Sequence, residues 1–312
     1  MPKNFADKRN EKGWIRAGAY ALSYAIWVVS FKLVILTLMT YFLMSSNFRF
    51  QDISDTFANN EVMVGGAGAL LFTMLLIWLN PITSTAPDEV FTPQRFEKRF
   101  SPGFWHGAVL ALGVTVAFLL SGLYRYYGVY VQMDDGLVVF GAITLRIFTL
   151  IALAFCEEFI FRYKILNALR KDLPDLHASL ITALLYCGIK ALQFDLGIMQ
   201  LLTLFLIALT LAFRMLRDED FMRGAGLWAG LIVVFQAFFS LSIFGSEFQG
   251  ILLVKYQVIS ESESSTYRFL TGGAGGPLSS FALQLLFLFD VTYGVLKNKK
   301  ILLKYPIWRL KN

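Results

Sequence analysis

Apolar positions along this chain gather into eight long runs, near residues 18–44, 63–80, 104–124, 137–161, 176–194, 197–213, 225–244 and 278–296, separated by polar, basic or glycine-containing stretches. A helix needs about 20 residues to cross a bilayer, so each run predicts one span. The pattern predicts an all-α fold, a polytopic membrane bundle of about eight transmembrane helices. The first run follows a polar, basic leader and is too long for the apolar core of a cleavable signal, so it is expected to stay as an anchor. The chain reads as a single membrane domain over 1–312, with an external loop at 245–277 and a basic tail at 297–312. The loop carries Ser260 to Ser265 and the glycine run Gly272 to Gly276. It lacks the Lys-Ser/Thr of a phosphate-cradling turn and reads as a flexible connector.

Charge orders these spans. Lys and Arg concentrate at alternate ends: twenty-one fall within Lys3 to Arg16, Arg95 to Arg99, Arg162 to Lys171, Arg214 to Arg223 and Lys297 to Lys311. The opposite ends hold four, Arg49, Arg125, Lys255 and Arg268. By the positive-inside rule both termini are expected to be cytoplasmic. In the tail, Lys299, Lys300 and Lys304 alternate with Tyr305, Ile307 and Trp308, a pattern that fits a segment lying on anionic lipid as well as ordinary flanking charge.

Composition agrees: 56% of the 312 residues are hydrophobic and 16% charged, against about 25% charged in soluble domains. A formal charge of +6 raises the question of nucleic acid, but the basic residues flank apolar runs and form no single patch, so no nucleic-acid partner is expected. The lipid bilayer is the partner the sequence specifies. Cys156 and Cys187 lie inside apolar runs at no metal or redox spacing and read as buried thiols.

The chemistry concentrates in Phe155-Cys156-Glu157-Glu158-Phe159-Ile160-Phe161-Arg162. Two adjacent acids near the end of a span are costly and mark a functional site or an ion-pair network. Residues four apart share a helix face, so Glu158 is expected to pair with Arg162 while Glu157 points elsewhere. The next span returns from a turn centred near position 173 or 174. Equal distance from that turn sets Glu157 level with Lys190 and predicts a buried pair, with snorkelling of Lys190 to the headgroups as the other reading. Within other spans stand Lys32, for which no partner is evident, Arg146, three turns before Glu157 on the same face, and Asp290. Gln193 and Gln236 are candidates to join a polar interior.

Two glutamates, three spacers and an arginine at the end of a span, followed by a basic loop and another apolar helix, resemble the first motif of the CAAX protease and bacteriocin-processing family of intramembrane endopeptidases. The resemblance covers roughly residues 137–245, a CAAX-protease-like core, and includes Gly226-Leu227-Trp228 at the opening of the seventh span. It implies a glutamate acting as general base on water, with histidines on neighbouring helices positioning that water and stabilising the oxyanion. It also implies a hydrophobic or prenylated peptide, or another membrane protein, as partner, and a multi-pass place in the bacterial inner membrane. Where the second motif would put Phe and His, this chain has Tyr186 and Lys190; where the third would put His and Asn, it has Val234 and Phe238. The only histidines, His106 and His177, stand at expected helix starts outside the motif positions. Two scattered histidines provide no first shell for zinc, so neither a metal nor a cofactor is expected.

General-base assistance contributes a factor of about 10² to 10⁴, and one oxyanion donor about 10² to 10³. An ionised Lys190 accepts no proton and favours the carboxylate form of Glu157. Glu157, Glu158, Arg162 and Lys190 are therefore the candidate residues of a degenerate catalytic site. Three readings follow: a relative of the proteases with lost or much reduced proteolysis and a binding or scaffolding role; an active divergent protease using Glu157 as base; and a transporter or membrane-machine subunit with a charge path through Arg146, Glu157, Lys190 and Asp290.

Overall fold

A computed structural model describes residues 12–44, 50–79, 93–130, 136–245, 249–256 and 264–297. Nine helices and two short strands occur among them. Helices α1 (Gly13–Met44), α2 (Phe50–Leu79) and α3 (93–120, opening with a π turn at Phe96–Phe100) precede strand β1 (Tyr124–Val129). Next come α4 (136–169, with a π turn at Phe159–Leu166), α5 (Asp175–Gln193), α6 (Ile198–Asp218) and α7 (Met222–Phe238, ending in a π turn from Val233). Strand β2 (Leu252–Tyr256), the short α8 (Ser264–Thr271) and α9 (Phe281–Lys297) complete the order.

Helices α1 to α6 are each long and apolar enough to cross a membrane. The expected seventh and eighth spans correspond to α7 and α9, both shorter. Within Met222–Ile232 every residue except Arg223 is buried. A helix that is apolar all round belongs in a core, and α7 is the central helix of the bundle.

Its closest neighbour is α3, and the contact is made by glycine. A Cβ on Gly103 or Gly107 of α3 would run into the carbonyls of Arg223 and Leu227; one on Gly226 or Gly230 of α7 would run into those of Phe100 and Phe104. Both helices thus present glycines four apart, the spacing that lets backbones meet when no hydrophobic effect drives association.

Two ties between distant parts of the chain hold the ends of the bundle. In one, the backbone N–H of Trp14 donates to Asp172 Oδ2 at 3.1 Å, tying the start of α1 to the α4–α5 turn. In the other, β1 and β2 pair antiparallel with Arg125 opposite Lys255. This two-stranded sheet is an addition to the expected all-α fold, and it corrects the reading of 245–277 as a plain connector. Tyr124 of β1 anchors it: its hydroxyl donates to the carbonyl of Thr271 at 3.0 Å, and burial pushes its phenol well above the ordinary range. The glycine run serves backbone geometry, with φ of 85° at Gly272 and 73° at Gly276. The basic tail beyond Lys297 and part of the acidic serine run lie outside the described residues.

Gly226→Ala should lower the stability of the purified protein by about 1–3 kcal/mol, the usual cost of overpacking. Gly113→Ala on α3, where an added Cβ meets nothing within 4 Å, should be neutral or stabilising by up to about 1 kcal/mol. Thermal unfolding in detergent compares the two, and equal effects would contradict the close α3–α7 contact.

Candidate functional site

Glu157 and Glu158 close the regular part of α4, and the backbone widens into a π turn directly after them. Such single-turn widenings are frequent at functional sites. Here the turn carries Arg162 inward: its Nη1 lies 3.0 Å from Glu158 Oε1, with both side chains within 1% of complete burial. Arg162 Nη2 donates to the carbonyl of Ala208 on α6 at 3.2 Å, and the guanidinium lies 5.0 Å from the centre of the Tyr186 ring.

Glu157 points to α5. Its Oε1 is 2.5 Å from Lys190 Nζ, and its Oε2 accepts from the Tyr186 hydroxyl at 3.1 Å. Glu157 is 0% and Lys190 1% exposed, which excludes snorkelling and agrees with the depth match across the hairpin. The lysine ammonium sits in an aromatic cage, 4.4 Å from the ring centre of Phe244, 5.0 Å from Phe194 and 5.7 Å from Tyr186. Phe244 reaches this position from a left-handed backbone, φ 54°, although it is a bulky residue. Such a conformation costs about 1–3 kcal/mol and persists only where surrounding structure enforces it. Nothing in the sequence pattern singles out Phe194 or Phe244.

The remaining sequence candidates fall elsewhere. Arg146 is buried, but it donates to Gln236 Oε1 at 3.3 Å and to the carbonyl of Asn59 at 3.4 Å. It extends a polar interior between α4, α7 and α2. Asp290 pairs with Arg214 at 2.8 Å, joining α9 to α6. Lys32 has a partner after all, Glu61 of α2. The signal was available: Lys32 and Glu61 are equidistant from the α1–α2 turn, as Glu157 and Lys190 are from theirs. It was hidden because α2 begins thirteen residues before the expected span at 63. Val234 is half-buried and Phe238 is 38% exposed, while the buried polar residue of that π turn is Gln236. His106 and His177 are both exposed. Cys156 is buried; Cys187, expected to be buried too, is only half so. Among the described residues, no three His, Cys, Asp or Glu side chains gather as a metal site would require.

Residues 139–234 match the family described as type II CAAX prenyl endopeptidase Rce1-like. This segment is similar to the Rce1-like family. It runs from α4 into the last turn of α7 and contains both glutamates, Arg162 and Lys190, leaving α1 to α3 and everything after Val234 outside it. No curated protein and no solved structure matches the chain.

Within this Rce1-like core the four charges sum to zero and form two pairs. Each oxygen of Glu157 has one neighbour, Lys190 Nζ on Oε1 and the Tyr186 hydroxyl on Oε2. Glu158 Oε2 has no hydrogen-bond partner, and it faces Gly224 of α7, where an added Cβ would lie 3.2 Å away. The arrangement is well suited to locking α4, α5 and α6 together.

Removing one member of a buried pair leaves an uncompensated charge and costs about 3–5 kcal/mol. Lys190→Met should therefore destabilise by that amount, and Lys190→Met with Glu157→Gln by distinctly less than the sum of the two single changes. A double-mutant cycle read by unfolding in detergent checks this. Additive effects would show that the two groups do not interact.

Proposed function

We propose that this protein is a CAAX-protease-like membrane protein with lost or much reduced proteolysis, which binds or scaffolds a hydrophobic or prenylated peptide or another membrane protein. We place it in the bacterial inner membrane with both termini cytoplasmic, on the strength of the family's character and the Lys/Arg asymmetry. The single observation that carries the reading is the closed Lys190–Glu157 pair at 2.5 Å, in the position where the family pattern calls for a histidine. A candidate base needs hydrogen-bond reach to the proton it removes, and here the carboxylate is fully buried between Lys190 and the Tyr186 hydroxyl. Val234 and Phe238 supply neither a proton acceptor nor an oxyanion donor.

The charge-path alternative draws less support. Asp290 is engaged with Arg214, and Arg146 with Gln236 and Asn59, so these groups do not line up with Glu157 and Lys190.

Purified protein offered prenylated peptides in detergent should bind without cleaving, and Glu157→Gln should leave the product yield at background. Combining Lys190→His, Val234→His and Phe238→Asn should give measurable hydrolysis if the core retains the geometry of the catalytic fold. Cleavage by the unaltered chain that disappears in Glu157→Gln would sink the proposal and establish a divergent protease instead.

A further inference from the structure

Lys32, Glu61 and Gln193 enclose a second polar site between α1, α2 and the end of α5. Lys32 Nζ pairs with Glu61 and also donates to the Gln193 carbonyl at 3.0 Å. The side chain of Gln193 is 2% exposed, and neither its amide nitrogen nor its amide oxygen has a hydrogen-bond partner. It borders a cavity of about 10 Å³ that Lys32, Glu61 and Gly65 also line. Buried amides are almost always satisfied, by protein or by ordered water. A cavity of this size, with two to four polar groups converging on it, is what one water molecule requires.

The site also has access and a neighbour. Lys32 is 32% and Glu61 16% exposed at the side chain. Lys32 lies roughly 28 Å along α1 and Gln193 roughly 27 Å along α5 from the helix starts, the full depth of a hydrocarbon layer, where interfacial water is at hand. Phe194 does not line the cavity itself but stands behind Gly65, which does. A Cβ on Gly65 would sit 3.4 Å from Phe194 Cζ. The other side of this neighbourhood is the Lys190 ammonium, 5.0 Å from the ring centre. Phe194 is held by stacking on Phe244 at 4.7 Å and 12°.

We propose that the Lys32–Glu61–Gln193 pocket binds a water molecule and is the point from which water approaches the Lys190–Glu157 pair, with the Phe194 ring as the barrier between them. Gln193 donates to this water and the Glu61 carboxylate accepts from it. The inference does not depend on whether the pair catalyses, because it concerns hydration alone.

The test uses the full chain in lipid nanodiscs and a small water-soluble thiol reagent, methanethiosulfonate-ethylammonium, with adducts counted by intact mass above the background of Cys156 and Cys187. Thiols react as thiolates, which form in hydrated surroundings and are suppressed in apolar ones. Gln193→Cys should gain one rapid adduct. Ile189→Cys, on the same face one turn deeper and 7% exposed, should gain none until Phe194→Ala is added, and should then gain one. No adduct at position 193 would overturn the hydration site. Labelling at 189 with Phe194 intact, or none at 189 in a folded Phe194→Ala protein, would overturn the barrier. Should Phe194→Ala fail to fold, Phe194→Leu, which thins the barrier while keeping most of the volume, serves the same comparison.

Discussion

Charge burial is the constraint around which this bundle is organised. Each isolated ion taken from water into a protein interior costs several kcal/mol even after relaxation, and at the α4–α5 site two carboxylates, an ammonium and the Arg162 guanidinium lie within 1% of complete burial. Only pairing makes that tolerable, and pairing demands three helices at fixed depth. Lys190 must sit level with Glu157, Arg162 must reach back to Glu158, and the carbonyl of Ala208 must be near enough to accept from Arg162. The aromatic cage adds to this. A desolvated ammonium over a ring gains about 2 kcal/mol or more, comparable to the cost of the left-handed backbone that delivers Phe244. Strain in the α7–β2 connection is thereby coupled to the ion pair on α5.

The glycine contacts of α7 serve the same end from the opposite side. Because Gly226 and Gly230 admit the backbone of α3, and Gly103 and Gly107 admit that of α7, α7 lies deep in the bundle with no charged side chain beyond Arg223. Its Gly224 then meets Glu158 without intruding on it. Close backbone packing is what allows an apolar helix to stand beside a carboxylate and still exclude solvent.

Much of this was legible in the sequence, and the gaps have physical causes. The Glu158–Arg162 pair follows from helical spacing, and the Glu157–Lys190 pair from hairpin symmetry, since both are local to α4, one short turn and α5. The Lys32–Glu61 pair obeys the same symmetry but is masked in the sequence because the first turns of α2 are polar, with Gln51, Asp52, Asp55, Asn59 and Asn60, and hydropathy places the helix start too late. Helix length, here, exceeds apolar length. The Gly103/Gly107 and Gly226/Gly230 spacings were visible as patterns, yet only the fold says which helices they join. The β1–β2 pairing, the Arg214–Asp290 bridge and the placing of Phe244 against Lys190 connect residues far apart in the chain. No period of 2 or 3.6 residues encodes them.

An ammonium beside Glu157 sets different physical conditions from the imidazole that the family pattern implies there. Histidine titrates near neutrality, so beside a glutamate it can be neutral, leaving a net negative charge that must be stabilised by water or by further donors. Such a site tolerates hydration because it needs it. Lysine beside the same glutamate completes a neutral pair, and the remaining carboxylate oxygen takes a tyrosine hydroxyl in place of a solvent proton. With charge balanced inside the protein, the apolar side chains of Phe194 and Phe244 can pack directly against the ammonium. The ammonium that neutralises Glu157 and the rings of Phe194 and Phe244 around it thus belong to one arrangement, in which charge pairing and burial depend on each other.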